Sequence, residues 1–135
     1  MKKLIYFIAA VVIFSCNKND DNNPPAITME NLAGDYKITS ATLNGIDVLS
    51  AYLEPCQQDD VYTLNADGTY EITDAGSTCS PTSDTTGTWS LSGNQITIGT
   101  QQFTLVSFDG SVIEVTTTVT QSGLPVTVDV IFTKK

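Results

Sequence analysis

The most reactive side chains in the sequence are three cysteines, at positions 16, 56 and 79, and their surroundings differ sharply. Cys16 stands on a border. Before it come the positively charged start Met1-Lys2-Lys3, an apolar run over residues 4–14 and the small Ser15. After it come asparagines, the pair Asp20-Asp21 and the pair Pro24-Pro25. A positive, apolar and small-residue succession is the pattern of a secretory signal, here residues 1–15. The apolar run is too short to span a bilayer, which takes about 20 such residues. An N-terminal anchor helix is the alternative reading. Export leaves Cys56 and Cys79 as an even pair in an oxidising compartment, which predicts one disulfide. A two-cysteine metal site competes poorly, because zinc takes four Cys or His ligands and the chain has no histidine.

The carboxylates offer little catalytic chemistry. Asp59-Asp60 is the pair to weigh for acid–base work. Adjacent residues of an extended segment point to opposite sides, so these two do not converge on one substrate atom, and a solvated strand start is the expectation. Asn65, Asp67 and Glu71 place oxygens at spacings slightly like those of a calcium loop. The twelve-residue pattern is missing, and an Asp-Gly hairpin turn accounts for them without metal. No histidine base, Gly-x-Ser-x-Gly elbow or phosphate-cradling glycine loop is present. A non-catalytic protein without metal or cofactor is therefore expected.

Charge narrows the partners. Six lysines and no arginine face fifteen acids, for a net charge of −9. Removing the leader takes Lys2 and Lys3 as well. Such a surface repels nucleic acid and anionic lipid, both of which need clustered Lys or Arg. High net charge also favours solubility.

The elements that must position any site are strands. Residues 16–26 carry no periodicity and read as a tether from Cys16, stiffened by its prolines. The domain spans 27–135 and alternates with period two in eight short runs. Along these runs Tyr36 aligns with Ile38, Tyr62 with Leu64, Tyr70 with Ile72, and Trp89 with Leu91. Ile96 aligns with Ile98, Phe103 with Leu105, Ile113 with Val115, and Val128 with Phe132. The run at 102–108 loses its phase near Ser107, as at a β-bulge. Turn signals at 65–68, 92–94, 109–110 and 122–123 separate neighbouring runs. Two longer connections fall at 43–58 and 75–86, the first with room for a helical turn before Pro55.

Eight sequential antiparallel strands remove their edges best by closing, so an all-β, eight-stranded up-and-down barrel is predicted. Opposing residues of the hairpin around Asp67-Gly68 sum to about 133–135, and Cys56 and Cys79 sum to 135, which brings them to its open end. A barrel of this size is either filled by its side chains or holds one small ligand. Tyr36, Ile38, Tyr62, Leu64, Tyr70, Ile72, Trp89, Leu91, Ile96, Ile98, Phe103, Leu105, Val128 and Phe132 are its inward candidates. A packed interior and an apolar pocket open at one end are both compatible with them.

Two resemblances sharpen this. Ile13-Phe14-Ser15-Cys16 resembles the lipobox of bacterial lipoproteins, with Phe14 bulkier than usual at the second place. The resemblance implies cleavage before Cys16, diacylglycerol on its sulfur and an acylated amine, hence a membrane anchor. Lys18, Asp20 and Asp21 are similar to the acidic export signal of Bacteroidota surface lipoproteins, which implies an outer-membrane protein displayed outward.

The second runs from Leu32 to the end of the chain. Residues 32–36 (LAGDY), Cys56 with Asp59-Asp60-Val61-Tyr62, 65–70 (NADGTY), Cys79, and 87–94 (GTWSLSGN) with 96–98 (ITI) resemble the lipocalin-like domain. That family implies the eight-stranded barrel, no established enzyme activity and undefined ligands. Tyr36 stands where lipocalins proper carry the Trp of Gly-x-Trp. The arginine that packs on that Trp has no counterpart in a chain without arginine. The resulting expectation is a monomeric, membrane-anchored envelope protein binding a small apolar or amphipathic ligand. The alternative is a filled barrel whose loops contact a protein or glycan.

Overall fold

The computed structural model describes residues 23–135. The signal peptide, Cys16 and most of the tether lie outside the described residues.

Nine strands form one antiparallel sheet: β1 (Gly34–Leu43), β2 (Ile46–Asp47), β3 (Val61–Leu64), β4 (Thr69–Thr73), β5 (Thr85–Ser92), β6 (Gln95–Ile98), β7 (Gln101–Phe108), β8 (Val112–Gln121) and β9 (Leu124–Lys134). Strands β3 to β9 follow each other in space as in sequence, and β1 pairs with both β3 and β9. That last pairing closes an eight-stranded barrel. The short β2 adds only to the tip of β1, through Thr42↔Asp47 and Leu43↔Ile46. All eight runs read from period two are barrel strands. The β2 pairing was not legible, because two residues carry no period.

Register follows from burial. Tyr62 pairs with Ile72 and Leu64 with Tyr70, so opposing numbers in this hairpin sum to 134. A one-residue slip would turn every one of these side chains to water. The expected bulge in β7 lies between Leu105 and Ser107. It turns Val106 outward, 56% exposed, and returns Phe108 to the interior at 5%. A second bulge, between Ile38 and Ser40 in β1, moves the inward phase from Ile38 to Ala41.

One end of the barrel is plugged. The short helix α1 (Met29–Leu32) begins at Thr28, whose Oγ1 accepts from the Asn31 amide. It seats Leu32 under Tyr36, both fully buried, and the Tyr36 hydroxyl donates to the Leu32 carbonyl at 2.8 Å. Trp89 fills the space beside them, and its Nε1 donates to the Asn65 carbonyl of the β3–β4 turn at 2.8 Å. Lys134 lies across this end, with Nζ 5.6 Å from the Tyr36 ring centroid and 5.9 Å from that of Phe108. Cation–π attraction thus survives the loss of both Trp and Arg from the lipocalin pattern, with Tyr36 and Lys134 as the pair. Gly34 makes room for it: a Cβ there would meet the Lys134 stem.

The other end carries the long connections. The first holds β2, the single-turn helix α2 (Leu49–Tyr52) and a 3-10 turn (Pro55–Gln57). The second, 74–84, returns from β4 to β5. The Cys56–Cys79 disulfide ties them together, with Cα atoms 5.3 Å apart.

Candidate functional site: an apolar cup at the open end

The lower two thirds of the barrel are solid. Between Tyr36, Leu64, Ile96, Ile113 and Val115 the remaining space is only ≈ 10 Å³. A single water needs about that much. No ligand fits there.

Above this floor the interior opens. One lobe of ≈ 260 Å³ lies between α2 and strands β1, β7, β8 and β9, walled by Leu49, Tyr52, Leu53, Ala41, Val119, Val128 and Val130. A second, of ≈ 300 Å³, lies toward β3, β4 and β6, walled by Tyr62, Tyr70, Ile72, Ile98 and Phe132. Ile38, Gln101 and Phe103 belong to both. The Phe132 ring meets Tyr62 edge-to-face at 5.7 Å and Phe103 at 6.1 Å, which braces the wall by aromatic contact.

Each wall has a local cause. Tyr70 lies flat over Gly87, its partner across the β4–β5 ladder. A Cβ on Gly87 would sit 2.7 Å from the Tyr70 ring, so only glycine permits that pose. Helix α2 starts where Asp47 Oδ1 accepts the Leu49 amide at 2.9 Å, and this turns Leu49 toward the core. Polar atoms in the cup are few. Gln101 and Thr100 supply side-chain hydrogen-bonding groups in the second lobe, and Gln101 and Thr117 in the first.

The inward candidates therefore divide. Ile38, Tyr62, Tyr70, Ile72, Ile98, Phe103, Val128 and Phe132 line the cup. Tyr36, Leu64 and Ile96 border the filled floor. Trp89, Leu91 and Leu105 are packing residues that reach neither lobe, and Trp89 sits at the plugged end. Period two identifies a face but not a height along the barrel, which is why these were grouped. Leu49, Tyr52 and Leu53 escaped notice because a four-residue helix shows no period. Ala41 escaped because the β1 bulge breaks its phase.

The aspartates behave differently from expectation. Asp60 is not solvated; it is 1% exposed. Its carboxylate accepts the Ser83 hydroxyl at 2.7 Å and the Ala75 amide at 3.3 Å. Asp59 accepts the Ser77 amide at 2.8 Å. Asp74 accepts the amides of Cys79 and Ser83. Burial raises the Asp74 pKa, but hydrogen bonds from Thr82, Ser83 and Cys79 outweigh it and hold the carboxyl below its usual range. These acids clamp the 74–84 loop to the start of β3. Asp67, weighed for calcium, accepts the Thr69 amide and hydroxyl within its own turn. Among the described residues, no group of three or more His, Cys, Asp or Glu is arranged to hold a metal.

A closed up-and-down barrel with one plugged end, one open end and a disulfide across its mouth is a lipocalin-like architecture, and it fits a ligand-binding, non-catalytic role. The family model described as "Lipocalin-like domain" matches residues 32–123, from the end of α1 to the β8–β9 turn. The chain belongs to this family. The match stops just before β9, yet β9 supplies the pairing with β1 that shuts the barrel. Neither the curated proteins nor the solved structures contain a match.

Proposed function

We propose that the protein is an outer-membrane lipoprotein, anchored through acyl chains on Cys16. Its barrel carries a small apolar or amphipathic molecule in the cup. The observation behind this reading is the two-lobed apolar cup above a filled floor. Lobes of this size match the lower range of small-ligand sites, about 300 Å³ and upward. Their walls are already assembled by strand register and the disulfide, so little ordering cost opposes binding.

Native mass spectrometry of protein taken from its own envelope tests the proposal. A retained molecule adds mass that disappears when a bulky side chain is placed in the cup. Protein that is always bare, and that takes up no apolar probe, would sink it. For the anchor, Cys16→Ala is expected to move the protein out of the membrane fraction.

A second reading draws on the rim. Ile46 and Leu124 are 69% and 67% exposed, and Tyr52 stands beside them at the same end. Apolar residues around a mouth suit contact with a protein or glycan partner. Replacing Ile46 and Leu124 with Ser would weaken partner capture on this reading while leaving ligand mass unchanged.

A further inference from the structure

Charge is segregated along the barrel axis. The three lysines among the described residues belong to the plugged half. Lys37 pairs with Thr133 low on β1. Lys134 covers Tyr36 and reaches the Gly110 carbonyl at 3.4 Å. The Lys135 amide bonds the Asp35 carbonyl.

The open end bears acids directly beside the cup walls. Asp47 starts the helix that presents Leu49. Glu54 follows Leu53. Asp60 precedes the Val61-Tyr62 pair, and Asp74 lies two residues beyond Ile72. Their field is felt inside: burial first, then the Asp60 charge, pushes the Tyr62 hydroxyl up to about 12. No lysine or arginine lines either lobe. A ligand carboxylate would enter with no cation to pair it, and burying an unpaired charge is costly.

Resting on the reading that the cup binds a ligand, we infer that its ligand is an amphipathic cation: an aliphatic or aromatic body in the lobes and a positively charged amine at the mouth, facing the acidic loops. Acidic loops around a low-dielectric opening focus the potential there and raise the local concentration of cations. Gln101, shared by both lobes, offers its amide oxygen to an N–H donor. Fatty acids, with the same tail and the opposite charge, are selected against.

The test uses the full chain carrying Cys16→Ala, titrated calorimetrically with decylammonium, decanol and decanoate. The three share a tail and differ in head charge. At an ionic strength of about 0.01 M, where charges act over about 30 Å, decylammonium is expected to bind at least about tenfold tighter than decanoate, with decanol between. At about 1 M, where the range is about 3 Å, the gap should largely close. Asp47→Asn should narrow it at low salt. If decanol binds but decanoate equals or exceeds decylammonium, the charge inference is overturned and the cup reading stands. If none of the three binds, both fall. Undiminished decylammonium binding to Val119→Trp, which fills a lobe, would put the amine on the outer surface and overturn the inference as well.

Discussion

The disulfide gives the most quantitative prediction. Cys56 and Cys79 are 23 positions apart and close the two loops that carry the cup's rim. Replacing both with Ser removes the cross-link but leaves the native loops their other ties. The 74–84 segment still donates the amides of Ala75, Ser77, Cys79 and Ser83 to Asp60, Asp59 and Asp74. The loss therefore falls on the unfolded chain, which regains the freedom that the closed loop denied it. For a loop of this length the chain-entropy relation gives about 3.4 kcal/mol at 25 °C. With an unfolding entropy of about 2.1 cal/mol/K per residue over roughly 110 residues, that lowers Tm by about 14 °C. Urea unfolding followed by circular dichroism provides the assay. The midpoint should fall and the m-value should rise, because an unlinked unfolded chain exposes more surface. A stability loss below about 1 kcal/mol with an unchanged m-value would refute the reasoning.

Other outcomes follow from the same structure. Burial pushes the hydroxyls of Tyr36 and Tyr62 to about 12, so the folded state holds protons that the unfolded state releases near 10. Stability should be level below pH 10 and fall between pH 10 and 12, read as phenolate absorbance rising together with loss of structure. In the acid range, Asp67 is held low by the Thr69 hydroxyl and amide, and Asp109 by the amides of Ser111 and Val112. Their contribution is complete above the ordinary carboxylate value of about 4 and vanishes as pH falls through the lower folded values, so Asp67→Asn should flatten the acid limb of a stability profile. Trp89→Phe removes the bond to the Asn65 carbonyl, which keeps the Gly68 amide at 3.1 Å. A cost of about 1 kcal/mol beyond lost packing is expected in thermal unfolding, with ligand titrations unchanged because Trp89 reaches neither lobe. Gly87→Val drives a side chain into the Tyr70 ring and should weaken probe binding in the second lobe more than it lowers Tm.

Much of this molecule was legible from local pattern. Alternation of Val128, Val130 and Phe132 against Thr127, Asp129 and Ile131 announces β9 because a strand's side chains alternate by geometry alone. The Asp67-Gly68 turn set the β3–β4 register, and that register brought Cys56 to Cys79. The phase break near Ser107 announced the β7 bulge. Family membership rests on these short motifs together.

What local pattern did not contain is depth and closure. Tyr36 and Tyr62 both point inward, but one is plugged by Leu32 while the other walls a cup, and that difference is set by height along the axis. Asp60 looks like a surface acid until the 74–84 loop folds over it with Ser83 and Ala75. Lys134, near the end of the chain, meets Tyr36 only because β9 pairs with β1. Alternation, turns and cysteine arithmetic are short-range consequences of backbone geometry, so the sequence alone determined the strands, their order and the disulfide. The plug, the cup and the separation of charge between the two ends arise from contacts between residues up to a hundred positions apart, and only the closed barrel decided them.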